Sequence, residues 1–188
     1  MDLYIDCDGV ILGTITFAFS EMKRLGIDLS NDDDITKYFI DVDWNYLIEK
    51  GGILNNSLEK INIIKNSNLF NLVCVLTHRC SYQEGVIKTN RFKENIPNVQ
   101  VITVPKKIKK HFAVNARGNY LIDDAKDKVL SWIEDGGIGV LFNPKVDHLI
   151  FPYESSNNEP YFITNDLLDI LEIQKIINEI KVYKKARN

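Results

Sequence analysis

No apolar run in this 188-residue chain is long enough to cross a bilayer, and residues 1–5 lack the basic and long apolar regions of a secretion signal. A cytoplasmic protein is expected. Cysteine is scarce. Cys7, Cys74 and Cys80 have no metal-ligand spacing and are odd in number, which argues against a cysteine zinc site and predicts reduced thiols. Charge of one sign is scarce too. A formal net charge of -3 gives no global attraction to nucleic acid or to an anionic membrane, so neither is expected as a stable partner. Any hold on phosphate must be local. There is no internal repeat and no stretch that reads as a linker. What is present, 45% apolar and 26% charged residues, is globular and suits one domain with room for a small insertion. A homo-oligomer stays open.

Five short apolar segments recur, at residues 2–6, 71–77, 99–104, 119–123 and 138–142. Most are too continuous to have one wet face, which predicts a parallel sheet covered on both sides. Helical spacing fills roughly 82–95, 106–113 and 125–135, so the fold class is α/β, a three-layer doubly wound sheet. A last helix over about 165–185 aligns Leu167, Ile170, Leu171, Ile177 and Ile180 on one stripe. Residues 143–160 read as a loop. Residues 14–70 are far longer than a usual βα connection and read as a small helical cap inserted after the first strand. Its helices run Phe17 to Leu25, Asp34 to Phe39, Trp44 to Lys50 and Leu58 to Ile64. The core is then 1–13 with 71–188.

Asp6-Cys7-Asp8-Gly9-Val10 follows the first strand, at the strand end where open α/β sheets bind ligands. Alone, an Asp-x-Asp is most often an acidic turn. Two adjacent carboxylates repel, however, and persist where a cation neutralises them or one carries a proton. Thr77 ends the second strand, Lys106, Lys107, Lys109 and Lys110 follow the third, and Asp123-Asp124 end the fourth. Parallel strands gather these ends into one crevice. Carboxylates for Mg²⁺, with a hydroxyl and an ammonium for phosphate oxygens, have the charge logic of phosphoryl transfer. Cys7 reads as a core filler. Asp123-Asp124 also suit a helix N-terminus, and both roles can coexist.

In order and strand context these motifs resemble the haloacid-dehalogenase-like (HAD) phosphohydrolase superfamily. The stretch from Tyr120-Leu-Ile-Asp-Asp to Gly136-Gly-Ile-Gly-Val-Leu-Phe is similar to 5'(3')-deoxyribonucleotidases. The resemblance implies Asp6 as nucleophile, forming an aspartyl-phosphate, and Asp8 as general acid and base. It implies Mg²⁺ on Asp6, the Asp8 carbonyl and Asp124, with Asp123 ligating or just behind. Thr77 and a lysine would hold phosphate, helped by backbone N–H groups at the next helix start. Relatives place that lysine three residues before an aromatic followed by alanine, which selects Lys109, before Phe112-Ala113, over Lys110. Lys88 would be a second phosphate contact, and His78 a rim residue within reach of substrate. Among Tyr38, Phe39, Trp44 and Tyr46, Phe39 and Trp44 are the candidates to stack on a nucleobase, against the alternative that they form the cap's own core. The expected substrate is a small phosphomonoester, in the first place a (deoxy)nucleoside monophosphate. Alternatives are another phosphometabolite, a polynucleotide end, a non-catalytic phosphate binder, or a receiver module. A receiver places its acidic pair first and has no room for the insertion.

Overall fold

The computed structural model describes residues 1–96, 98–153 and 159–185. Its centre is a six-stranded sheet built from β1 (Asp2–Ile5), β2 (Leu72–Arg79), β3 (Gln100–Pro105), β4 (Tyr120–Asp123), β5 (Ile138–Phe142) and β6 (Phe162–Thr164), in the order β3-β2-β1-β4-β5-β6. Every pairing is parallel. The chain therefore winds outward from β1 in one direction and from β4 in the other, and the strand order reverses between them.

Successive side chains on a strand face opposite sides, and the core divides accordingly. Leu3 and Ile5 join Ile61, Phe92, Ile170 and Ile173 in one apolar layer, while Tyr4 packs with Leu121 and Trp132 in another. The first layer is covered by α4 (Ser57–Asn66), α5 (Tyr82–Asn95) and α8 (Asp169–Lys185), the second by α7 (Lys126–Glu134) with the single turn α6 (Lys110–Ala113) beside it. This is the expected three-layer arrangement.

Between β1 and β2 stand α1 (Thr14–Arg24), α2 (Asp32–Asp41) and α3 (Trp44–Gly51), followed by α4. Asn31 caps α2, its side chain accepting from the Asp33 and Asp34 amides, and Asp32, Asp33 and Asp34 fill the first turn, where carboxylates suit the helix dipole. At the other break α3 ends at Gly51, and Gly52 takes a φ of 68° as its cap. These three helices share a small core of Ala18, Met22, Phe39, Trp44 and Leu47. The fourth does not join them, because Ile61 and Ile64 of α4 are buried against the sheet. By packing, the helical insertion is α1 to α3, shorter than 14–70.

Two further differences concern the C-terminal part. β6, only three residues long, pairs with β5 where the sequence reads as the approach to a helix. Ile180 is 48% exposed, since the apolar stripe of α8 leaves the sheet after Ile177. Residues 154–158 of the expected loop lie outside the described residues.

Candidate active site

The register of the sheet builds the site. Ile5 pairs with Ile122, so Asp6 and Asp123 emerge side by side, tied by the Asp6 amide donating to the Ile122 carbonyl at 2.8 Å. This is the reversal point between β1 and β4, where the loops diverge and leave a crevice. After Asp6 the chain turns back on itself, with Ile11 and Leu12 amides donating to the Cys7 carbonyl. Gly9 takes a φ of 84° in this turn, and a Cβ there would lie 2.0 Å from Asp124 Oδ2. The missing side chain makes the space that Asp124 occupies.

Asp6, Asp123 and Asp124 each present a carboxylate oxygen within 4.8 Å of the others. Lys110, buried, bridges the first two, its Nζ donating to Asp6 Oδ1 at 2.7 Å and to Asp123 Oδ2 at 2.6 Å. The Asp123 carboxylate also accepts from the Ala125 amide at 2.9 Å, so it serves the start of α7 as well. Burial pushes the Asp6 carboxyl up to about 6; Lys110 pulls it back, and Asp123 and Asp8 add to the rise. Asp124 keeps an exposed edge, yet the packing around it, followed by Asp6 and Asp123, pushes its carboxyl up to about 7.

Asp8 is held by three donors from separate elements. Thr14 Oγ1 of α1 reaches Oδ1 at 2.7 Å, Thr77 Oγ1 lies 3.4 Å from Oδ2, and the Lys88 ammonium pairs with Oδ2. Lys88, fully buried in α5, also donates to Glu84 Oε1 at 2.5 Å and to the His78 carbonyl at 3.2 Å, and sits 4.3 Å from the centre of the Trp44 ring. Burying an ammonium demands such partners. Among the described residues, the carboxylates of Asp6, Asp8, Glu84, Asp123 and Asp124 across the crevice face two buried ammoniums, Lys88 and Lys110. Hard oxygen donors with an excess of negative charge fit a divalent ion such as Mg²⁺.

The structure thus brings together Asp6, Asp8, Thr77, Asp123 and Asp124, and corrects several finer expectations. Lys110, not Lys109, reaches the carboxylates: Lys109 is the exposed, extended residue before α6, and Lys110 is the first residue of the turn and faces inward. Lys88 has no surface to offer a phosphate, being enclosed by Asp8, Glu84 and Trp44. The amides of Cys80 and Ser81 before α5 are already taken, the Glu84 carboxylate accepting from both, at 2.6 and 3.4 Å. His78, half-buried, has Nε2 2.9 Å from the Ile108 carbonyl, tying β2 to the lysine segment; desolvation lowers its pKa.

Phe39 and Trp44 stack on one another with centroids 5.8 Å apart and are 7% and 3% exposed, so they are first of all the core of the insertion. Both still border a hollow of about 340 Å³ that includes Asp8, with Ile15, Phe19 and Ile35 on the same wall. Tyr38 packs edge-on against Phe39, and Tyr46 against Phe17. Residues absent from the sequence reading are Thr14 and Glu84. A signal for Glu84 exists: Ser81-x-x-Glu84 is a capping box, and Glu84 stands four residues before Lys88. Thr14 has none, since its contact depends on the turn made by residues 7–12.

No protein-family model and no curated protein matches the sequence. Solved structures do. The HAD-hydrolase YfnB from Bacillus subtilis, bound to magnesium, superposes with a TM-score of 0.58 at 14% identity, covering 93% of this chain and 98% of that one. A hydrolase from Pseudomonas syringae gives 0.55 at 16% identity, covering 94% and 99%. The β-phosphoglucomutase of Clostridium difficile gives 0.55 at 15%, covering 96% and 98%. At such identities the likeness speaks for architecture: the chain has the haloacid-dehalogenase-like hydrolase fold, with helices inserted after its first strand and an aspartate cluster at the end of that strand.

Proposed function

We propose that the protein is a Mg²⁺-dependent phosphomonoester hydrolase working through an aspartyl-phosphate, with (deoxy)nucleoside monophosphates as the substrate class. The observation that carries the reading is the convergence of Asp6, Asp123 and Asp124 around one point, with the Lys110 ammonium on the first two. Mg²⁺ would be held by Asp6, Asp124 and the Asp8 carbonyl, with Asp123 ligating or just behind, and would supply charge neutralisation and orientation of the phosphate. YfnB, solved with magnesium, lends that assignment support.

The chain's own groups divide the chemistry. A carboxylate oxygen of Asp6 attacks phosphorus while the bond to the leaving oxygen breaks, the electron pair departing with that oxygen. Asp8, which must enter this step in its protonated form, gives that oxygen its proton. In the second half Asp8 takes a proton from water, whose oxygen attacks phosphorus and frees the Asp6 carboxylate. Lys110 offsets the negative charge that gathers beside Asp6, and the fully buried Thr77 hydroxyl, 3.4 Å from Asp8 Oδ2 and 3.2 Å from the His78 carbonyl, would turn to a phosphate oxygen only once substrate opens a path to it. The apolar wall of Ile15, Phe19, Ile35, Phe39 and Trp44 beside Asp8 supports a leaving group with an apolar or planar part, such as a nucleoside.

Asp6→Asn should lower turnover of p-nitrophenyl phosphate and of nucleotides by about 10³-fold or more while the circular dichroism spectrum is kept. Near-normal hydrolysis by that variant would overturn the nucleophile assignment. Equal kcat/KM across a panel of nucleotides, sugar phosphates and aryl phosphates would remove the nucleotide part and leave the phosphatase.

A further inference from the structure

The segment that delivers Lys110 carries more positive charge than the proposed chemistry uses. A hollow of about 390 Å³ lies between residues 106–111 and α7, bordered by Lys106, Lys107, Lys109, Lys110 and Lys128. Its carboxylates are Asp127 and Glu134, and Asp127 is paired with Lys128 at 3.0 Å. Lys106 donates to the Thr36 hydroxyl of α2 at 3.2 Å, and Lys107 and Lys109 have no carboxylate partner among the described residues. In a chain of net charge -3 this is a local reversal of sign.

The lysines are also held in place. The Lys106 amide donates to the Arg79 carbonyl at 3.0 Å, Ile108 offers its carbonyl to His78, and the His111 ring meets the Ser131 hydroxyl at 3.3 Å. The backbone of the segment is therefore tied to β2 on one side and to α7 on the other, which keeps the exposed lysines side by side along it. His78, Lys106 and Lys128 border both this hollow and the one that contains Asp8. The two hollows are neighbours, with these three side chains between or along both.

We propose that this lysine hollow holds a second phosphate of the substrate, so that the physiological ester carries a further phosphate beyond the one transferred to Asp6. A polyvalent oxyanion accepts from several ammoniums at once, whereas a neutral leaving group leaves them unpaired. Nucleoside bisphosphates and the phosphorylated end of a short polynucleotide share this chemistry. The inference rests on the phosphohydrolase reading above, and its test separates the two.

kcat/KM is compared for a nucleoside 5'-monophosphate, the matching 3',5'-bisphosphate and a 5'-phosphorylated tetranucleotide, with p-nitrophenyl phosphate as reporter of the common chemistry. The bisphosphate or the tetranucleotide should exceed the monophosphate by about tenfold or more, and the preference should shrink with added salt. Whichever of the two gains identifies the source of the second phosphate. The double variant Lys107→Gln/Lys109→Gln should erase the preference and keep p-nitrophenyl phosphate turnover within about twofold. Equal kcat/KM for all three nucleotides, a preference that survives the double variant, or an equal loss on p-nitrophenyl phosphate would each overturn the proposal. Calorimetric binding of monophosphate and bisphosphate to the Asp6→Asn protein makes the same comparison without turnover. Absence of p-nitrophenyl phosphate hydrolysis by the unaltered protein would then count against the hydrolase reading alone.

Discussion

Lys110 is the residue on which charge balance at the strand ends depends. Its ammonium lies between two buried carboxylates, and removing it leaves Asp6 and Asp123 facing each other and Asp124 with no ion-paired cation among the described residues. Stripping one partner from a buried ion pair costs about 3–5 kcal/mol, and removing a charge aimed at a reacting oxygen costs about 10²–10³ in kcat. Lys110→Met should therefore lower both the unfolding midpoint of the metal-free protein and the turnover number. Lys109→Met, at an exposed position, should change stability by less than about 0.5 kcal/mol. Urea unfolding and p-nitrophenyl phosphate kinetics on the pair decide, and the reverse ranking would return the role to Lys109. The sequence narrows this role to four lysines, and the family resemblance then selects Lys109, one residue away from the Lys110 that reaches the carboxylates. Which one faces inward is set by where the single turn α6 begins, and a one-residue shift of that start changes the answer. Lys88 shows the same limit, because its place in the helix after β2 suits a phosphate contact by resemblance, and only the packing shows Asp8 and Glu84 enclosing it.

At the scale of elements, the site is a consequence of strand register and one glycine. β1 and β4 present Asp6 and Asp123 side by side because Leu3, Tyr4 and Ile5 pair with Tyr120, Leu121 and Ile122. The turn after β1 then needs Gly9, whose positive φ strains any other residue and whose Cβ would displace the Asp124 carboxylate. Gly9→Ala should cost about 1–2 kcal/mol from the backbone alone. It should also weaken Mg²⁺ binding by calorimetry, and an unchanged Mg²⁺ affinity would show that Asp124 is free to lie elsewhere. Strands β1 to β5 are legible in the sequence because each reads as a short apolar run, which β1, β2 and β4 owe to burial on both faces, while the edge strand β3 is only half-buried. β6 is not, since three residues carry no period, and α4 cannot be told from the inserted helices because an apolar stripe does not say which surface it meets. The same ambiguity covers Phe39 and Trp44. Their spacing suits either a stacking platform or a core, and burial assigns them chiefly to the core.

For the whole molecule, the excess of carboxylates in the crevice links folding, pH and metal. Without metal, the folded-state pKa of Asp6 is raised to about 6 and that of Asp124 to about 7, above the values near 4 of the unfolded chain. A carboxyl raised in the folded state binds its proton more tightly there. Its contribution to stability is fully present below the unfolded value and is lost as pH rises through the folded one. Metal-free protein should thus lose stability between about pH 5 and 8, as Asp6 and then Asp124 ionise among like charges. If Mg²⁺ binds the ionised set as proposed, it should reverse that loss, with its effect growing across the same window. At a concentration near 100 times its Kd, a ligand specific for the folded state adds about 2.7 kcal/mol, roughly 5–10 °C in Tm for a domain of this size. Thermal unfolding in chelator and in Mg²⁺ at pH 5, 6.5 and 8 measures both effects. The stabilisation should be largest at pH 8 and nearly absent in Asp124→Asn, where one of the three converging oxygens has lost its charge. A stabilisation that is the same at every pH, or that survives Asp124→Asn intact, would place the ion away from Asp6, Asp123 and Asp124 and remove the electrostatic basis for the proposed hydrolase.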